Sequence, residues 1–292
     1  MLHRKAAPLR THAMATEDGL HVLHVAEYGS PNAIPVVYLH GGPGGGIPVD
    51  APRLFDPEVF RLVVFDQRGC GKSTCEDRLR GNTTDLLIVD IESVRKHLGI
   101  QRWAVVGSSY GALLTSLYAA RHAASITFAI VHGAFLGTRA EVGWLYESGG
   151  ASRFYPQQWD AHMAPRCQSD TLDAGRSEAH GTDTPALVAD FYRVLSDSAV
   201  DRTHPPTADT PPPPAALAAA VALTAWEDEM ETIAPTPASH EPGELISGAQ
   251  IAAHYFYHGC FLKGPVSSDE VAASAADAEP AAAYLPGGIL PE

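Results

Sequence analysis

The chain has 292 residues, 45% of them hydrophobic, and a formal net charge of −14. This length accommodates one domain with a sizeable insertion, and the acidity excludes nucleic acid and anionic membranes as partners because both need a basic surface. No apolar run is long enough for a membrane span or a secretory signal, and the four cysteines form no CxxC pair, which predicts a cytoplasmic protein with reduced thiols and no zinc site.

Strands and helices alternate over the first half of the chain. Apolar runs predict strands at 20–29, 35–40, 61–66, 103–106 and 127–133. The clearest helix spans 83–98, where one of residues 83–85 can cap the start and Gly99 can end it. A second helix is predicted from about Ala112. This alternation is typical of a parallel sheet with helices on both faces.

The pattern changes after residue 137, where aromatic and proline-bearing segments replace the short buried strands. We therefore divide the chain into a sheet-bearing core at 1–137, a mostly helical cap at 138–262 and an alanine-rich tail at 263–292. Within the cap, PPTADTPPPPAALAAAVA predicts a surface loop that runs into a helix. The tail contains no recognisable strand.

The stretch GSSYG at 107–111 fits the pattern G-x-S-x-G. It follows an apolar strand and precedes an apolar helix, which is the context that a nucleophilic serine requires, because small residues at both ends allow a sharp turn that exposes the hydroxyl. Ser109 is therefore the predicted nucleophile. The alternative is that the glycines only serve a turn.

A glycine-rich loop, HGGPGGG at 40–46, follows the second predicted strand. It resembles the HGG-type loop of esterases and peptidases, in which one backbone N–H stabilises the oxyanion and the residue after the nucleophile supplies another. Gly42 and Tyr110 are the candidate donors. A phosphate loop is excluded because neither G-x-G-x-x-G nor the Walker A spacing fits these residues.

Several blocks in order resemble the proline iminopeptidase family: HGGPGGG, FDQRGCGKS, GSSYGALLTSLYAA, YESGGASRFYPQQW, the pair Trp226 and Glu227, and HYFYHGCF. The resemblance runs from about Gly19 to Phe261. It implies the α/β-hydrolase fold, a parallel sheet flanked by helices with a helical cap. It also implies a serine exopeptidase without a cofactor or a metal, acting on small peptides with an N-terminal proline.

By the same resemblance, Glu227 matches the acidic residue that binds the charged imino group, and Phe135 and Phe256 match walls of the proline pocket. For Glu227 the alternative is a solvated helix face, since WEDEME holds four acids. For the two phenylalanines it is ordinary core packing. Where the family usually reads ARIE, this chain reads AQIA at 249–252, so a second acid is replaced by Ala252.

The family places its triad aspartate in a segment similar to HGRYD and its histidine near GHS, and neither segment occurs in this sequence. We therefore expect the late sheet strands to be missing and the edge of the sheet to be open. Three readings stay open: an impaired prolyl aminopeptidase, with or without a recruited histidine, a serine esterase or amidase of the same fold, and an inactive binding protein. The histidines considered for recruitment are His40, His132, His254 and His258.

Overall fold

The sheet of the computed structural model is mixed. The structure describes residues 2–167, 184–197, 199–204, 207, 209–231 and 242–262. Within them, seven strands form one sheet in the spatial order β1-β2-β4-β3-β6-β7, with β5 pairing with β2. The strands are β1 (Arg10–Ala15), β2 (His21–Gly29), β3 (Ile34–Leu39), β4 (Phe60–Phe65), β5 (Thr74–Cys75), β6 (Trp103–Ser109) and β7 (Ile126–Ala134).

The longer helices follow β5, and helices and helical turns make up most of the described residues beyond β7. The longer ones are α1 (Thr84–His97), α2 (Tyr110–Arg121), α3 (Arg139–Tyr146), α4 (Ala186–Leu195), α5 (Pro214–Glu231) and α6 (Pro242–Tyr257). Short helical turns lie at Ala51–Leu54, Ala123–Ser125, Ala151–Arg153, Pro156–Gln158, Trp159–Met163 (a π-helical turn), Ala164–Cys167 and Gly259–Phe261. Within the described residues, no helix combines the length and hydrophobicity that crossing a membrane requires.

Strand directions differ from the expectation of a purely parallel sheet. Strands β3, β4, β6 and β7 run parallel, as the alternation of strands and helices predicts. Strands β1 and β2 are antiparallel to their neighbours, and β1 was not predicted. Its sequence, RTHAMA, buries only Met14, so it has no alternating apolar pattern that a strand prediction could use.

The two faces of the sheet carry cores of different size. Alternate residues of each strand point to opposite faces, so Val37 and Leu39 join the large core under α1, α2 and the cap helices. Val36 and Tyr38 join a small cluster on the other face. The large core therefore lies on the face of the sheet that α1, α2 and the cap helices cover.

The predicted cap is built from helices that pack against one another. Helices α4, α5 and α6 are mutual neighbours. Buried alanines of α5 at 216, 219 and 220 recur at helical spacing, which allows close helix packing. Arg78 of the core reaches this unit, where its Nε donates to the Arg202 carbonyl at 3.1 Å and a terminal nitrogen donates to Gln250 at 2.9 Å.

Helix α1 is joined to α2 through Glu92, which accepts hydrogen bonds from Tyr118 at 2.8 Å and from Arg95 at 2.9 Å. Burial raises the pKa of Glu92, but these hydrogen bonds outweigh it and lower the pKa to about 2. A carboxylate whose pKa is lower in the folded state stabilises the fold above its unfolded pKa, and that stabilisation is lost as the pH falls through the folded value.

We therefore expect Glu92→Gln to flatten the loss of stability on acidification. The ordinary pKa is 4.5 and the folded one about 2, so the wild-type chain loses this contribution between those values. Urea unfolding at about pH 6 and about pH 3 measures it. Glu58→Gln is the control, because Glu58 is exposed. Equal pH dependence in all three proteins would contradict the prediction.

Candidate active site

Ser109 lies at the junction of β6 and α2 with φ 55° and ψ −123°, a conformation that is uncommon for a residue with a side chain. The flanking glycines are sterically required. A Cβ on Gly107 would lie 2.1 Å from the Gly111 carbonyl oxygen, and a Cβ on Gly111 would lie 2.1 Å from that of Leu39. The strand-to-helix turn predicted from GSSYG is therefore present, with its strained residue at the serine.

The glycine-rich loop after β3 lies against this turn. A Cβ on Gly41 would be 3.0 Å from the Ser109 Cβ and 3.6 Å from its Oγ. Gly42 has φ 111°, which favours glycine. Two positions later, a Cβ on Gly44 would lie 2.6 Å from the Gly248 carbonyl oxygen of α6. The loop is therefore held between the nucleophile turn and the cap.

Tyr110 has separate roles for its backbone and its side chain. As the first residue of α2, it carries an N–H that has no acceptor within the helix. Its side chain is fully buried, shares a hydrogen bond of 2.8 Å with Thr84 and packs on Tyr255 with ring centroids 5.1 Å apart. The side chain thus fixes the start of α2 between α1 and α6.

The predicted site residues are brought together from distant parts of the sequence. A cavity of about 180 Å³ is lined by Gly42, Ser109, Phe135, Leu145, Tyr146, Glu227, Met230 and Phe256. These include every predicted site residue except Tyr110. The lining combines one carboxylate with aromatic and apolar side chains next to a serine hydroxyl, which suits a small apolar ring that carries a positive charge.

The position of Glu227 is set by its hydrogen bond with Tyr146 and by the anchoring of the preceding residue, Trp226. The hydroxyl of Tyr146 donates to the Oε1 of Glu227, which orients the carboxylate. The preceding Trp226 is fully buried and donates from its indole N–H to the Leu145 carbonyl at 3.1 Å. The helix α5 is therefore anchored at the tryptophan, and the next residue is directed to the cavity rather than to a solvated face.

The aromatic residues form one connected group. The ring centroids of Phe135 and Phe256 are 6.3 Å apart, and those of Tyr146 and Phe256 are 5.3 Å apart. Separations and tilts of this kind are typical of favourable aromatic contacts. Phe135 and Phe256 thus pack together and also line the cavity.

Three lining residues were not predicted from the sequence: Leu145, Tyr146 and Met230. Met230 lies three residues after Glu227, a spacing that places two side chains on the same side of a helix. Its place in the cavity could therefore have been predicted from that of Glu227. Tyr146 belongs to the block YESGGASRFYPQQW, but its hydrogen bond to Glu227 depends on how α3 and α5 pack. Ala252, which stands where the family usually has a second acid, is buried within α6.

His40 is fully engaged in supporting the glycine-rich loop. Its Nδ1 lies 2.9 Å from the Gly41 carbonyl oxygen, and its Nε2 accepts the Gln67 backbone N–H at 3.1 Å. Burial lowers its pKa. With one nitrogen donating and the other accepting, the imidazole has no free lone pair for taking a proton from Ser109.

None of the other candidate histidines lines the cavity that holds the serine, although His132 is paired with Ser108, the residue before Ser109, between β6 and β7. His132 is exposed on β7, with its ring centroid 6.5 Å from that of Tyr38. The Nε2 of His254 donates to the Asn82 carbonyl oxygen at 3.2 Å, because a carbonyl oxygen can only accept. Burial and the charge of His258 lower the pKa of His254 to about 4. No described residue that lines the cavity is a histidine.

This arrangement of a mixed sheet, a nucleophile turn and a helical cap defines an α/β hydrolase. In agreement, the family model described as the alpha/beta hydrolase fold matches residues 34–183. Among curated proteins, the proline iminopeptidase of Neisseria gonorrhoeae is 33% identical over 247 residues, 84% of this chain and 71% of that protein.

Two further relatives agree. The proline iminopeptidase of Xylella fastidiosa (strain Temecula1 / ATCC 700964) is 37% identical over 257 residues, covering 86% of this chain and 73% of that protein. That of Arabidopsis thaliana is 46% identical over 247 residues, 83% of this chain and 58% of that protein. The chain therefore belongs to the proline iminopeptidase family.

Proposed function

We propose that this chain is a serine hydrolase that removes an N-terminal proline from small peptides through an acyl-enzyme on Ser109. The observation that carries the proposal is the single cavity in which Ser109, Glu227 and Phe256 meet. A desolvated cation needs a paired charge, and an apolar ring needs apolar walls. An N-terminal proline presents both features at once.

The site residues have distinct roles in this proposal. Glu227, held by Tyr146, accepts the charged imino group, while Phe135 and Phe256 enclose the proline ring. The Ser109 oxygen then bonds to the prolyl carbonyl carbon, and the backbone N–H groups of Gly42 and Tyr110 stabilise the resulting oxyanion. Loss of the peptide amine, which takes up the serine proton, leaves a prolyl ester that water hydrolyses.

No described residue that lines the cavity is a histidine that could take the serine proton. Without that base the Ser109 hydroxyl is a weak nucleophile, and positioning together with oxyanion stabilisation supports only slow acyl transfer to it. We therefore expect slow turnover with a clear preference for proline. No metal or cofactor enters this mechanism.

The experiment is release of chromophore from proline p-nitroanilide and from alanine p-nitroanilide by the purified chain. Ser109→Ala is compared with Ser108→Ala, a neighbouring serine that does not line the cavity. We expect turnover that prefers proline, that survives in Ser108→Ala and that is lost in Ser109→Ala. Turnover that persists in Ser109→Ala, or that shows no preference for proline, would contradict the proposal.

A second candidate function is an inactive binding protein, which is favoured by the absence of histidine among the described residues that line the cavity. This function predicts that prolinamide binds in a calorimetric titration although no p-nitroanilide is turned over. A serine esterase of the same fold predicts instead that p-nitrophenyl acetate is cleaved faster than the prolyl substrate.

The proposal also covers the finer organisation of the chain. We propose a core at 1–137 and a cap at 138–262, supported by the mutual packing of α4, α5 and α6; the tail at 263–292 lies outside the described residues. We place the activity in the cytoplasm, supported by four cysteines that are all free thiols. The expected substrates are small peptides.

A further inference from the structure

One buried arginine joins the core to the helical cap. Arg78 lies in the loop after β5 and is 2% exposed. Its Nε donates to the Arg202 carbonyl at 3.1 Å, and one terminal nitrogen donates to the Ser247 hydroxyl and to the Gln250 side-chain oxygen, the latter at 2.9 Å. Ser247 and Gln250 are three residues apart on α6, a spacing that places both on the same side of the helix. A single side chain therefore holds one side of α6.

The hydrogen-bond acceptors of Arg78 among the described residues are all neutral: a backbone carbonyl, a hydroxyl and an amide oxygen. Burial lowers the pKa of its guanidinium, and a buried charge is costly unless hydrogen bonds satisfy it. Hydrogen bonds from a charged donor are also stronger than those from a neutral one. Moving α6 away from Arg78 would leave the charge buried without these acceptors, so the two are held at a fixed distance.

The same loop holds α6 a second time, through Asn82. The Asn82 side chain donates to the Arg78 carbonyl at 2.7 Å and accepts from the Tyr255 hydroxyl at 2.7 Å. Its backbone carbonyl accepts from His254 at 3.2 Å. Residues 78–82 therefore contact α6 from Ser247 to Tyr255, over about two helical turns.

Two parts of the candidate active site depend on where α6 lies. Phe256, which lines the cavity, belongs to this helix. The glycine-rich loop packs so closely on it that a Cβ on Gly44 would lie 2.6 Å from the Gly248 carbonyl oxygen. Arg78 itself does not line the cavity. A shift of α6 would therefore move one wall of the cavity and a contact of the loop without any change in the residues of the cavity.

We propose that Arg78 is a positioning residue of the proline pocket, which holds α6 on the core and so places Phe256 against the ring of the bound imino acid. The inference rests on the proposed function for the identity of the ligand. It assigns to Arg78 a role in affinity that is exerted through α6. Loss of Arg78 should then weaken binding of a prolyl ligand although every residue that lines the cavity is unchanged.

The test is calorimetric titration of prolinamide into the full chain and into Arg78→Met, which is expected to bind at least tenfold more weakly. Arg61→Met is the matched control. The Arg61 side chain is also largely buried, at 17% exposed, and its partner is Glu27 of the core, at 2.7 Å. Arg61→Met should lose stability in urea and keep its affinity. Unchanged affinity in Arg78→Met, or an equal loss in both variants, would overturn the proposal.

A milder variant keeps the proposal testable if Arg78→Met does not fold. Ser247→Ala removes one acceptor of Arg78 at a partly exposed position. We expect it to weaken prolinamide binding about threefold in the wild-type chain and to have no further effect in Arg78→Met, because both changes remove the same contact. Unchanged affinity in Ser247→Ala, or equal weakening in both backgrounds, would contradict the proposal.

Amide hydrogen exchange separates failure of this inference from failure of the proposed function, since it needs no ligand. Arg78→Met is expected to speed exchange more in α6 than in the buried strand β6, whereas Arg61→Met should not favour α6. If the wild type bound no prolinamide, the proposed function would fail, and exchange in α6 would then decide whether Arg78 positions the helix. Unchanged exchange in α6 of Arg78→Met would overturn the inference in either case.

Discussion

Replacing Arg68 by methionine is expected to lower the free energy of unfolding by about 3–5 kcal/mol, because it leaves a buried carboxylate without its partner. The Arg68 side chain has no exposed surface, and Asp90, its main partner, is 1% exposed. Two nitrogens of Arg68 reach the two oxygens of Asp90 at 2.6 and 2.8 Å. A third donates to the Gly81 carbonyl at 2.8 Å.

The variant Arg68→Met with Asp90→Leu distinguishes this cause from simple loss of packing. Replacing both members of a buried ion pair by apolar residues is often nearly neutral, so the double variant should recover much of the lost stability. Arg53→Met is the control, since Arg53 and Asp50 form an exposed pair, with exposures of 32% and 58%, that contributes under about 1 kcal/mol. Equal losses in all three variants by urea unfolding would refute the prediction.

The loop that carries Arg68 also supports the candidate active site. The Gln67 side chain donates to the His40 carbonyl at 2.8 Å, and Asp66 accepts the Ile47 backbone N–H at 2.8 Å. Three consecutive residues thus hold both ends of the glycine-rich loop and link it to α1. Loosening Arg68 is therefore expected to disturb the glycine-rich loop as well as the fold.

The nucleophile turn could be predicted from the sequence because local sterics determine it. The Cβ atoms that Gly107 and Gly111 lack would overlap backbone oxygens, so the spacing of the glycines reports the turn directly. The buried strands could also be predicted from local sequence, because a short apolar run bounded by turn residues favours a strand. Helix α2 begins at Tyr110 rather than at Ala112, because the turn passes into the helix without an intervening loop.

The walls of the cavity could be predicted only in part. Phe135 and Phe256 came from a family resemblance, whereas their contact depends on how α6 packs over the end of β7. Tyr146 is 81 positions from Glu227 in the sequence, and no local pattern relates the two. Contacts between helices of the cap depend on how whole helix faces pack together. They cannot be predicted from single residues.

Replacing Glu227 by glutamine is expected to weaken binding of prolinamide roughly tenfold to 150-fold, since a hydrogen bond to a charged group contributes about 1.5–3 kcal/mol. The amide keeps the shape of the side chain and removes its charge. It also leaves Tyr146 with an acceptor, so the pocket should keep its form. Calorimetric titration measures the affinity whether or not the chain turns over a substrate.

Glu229→Gln provides the matched control for this change. Glu229 carries the same side chain on the same helix, two residues further on, and does not line the cavity. If Glu227 binds the imino group, Glu229→Gln should bind prolinamide as the wild type does, and only Glu227→Gln should lose the preference for prolinamide over cyclopentanecarboxamide, which has no charge. Equal weakening in both variants would assign the effect to the overall acidity of α5 and would remove Glu227 from the proposed site.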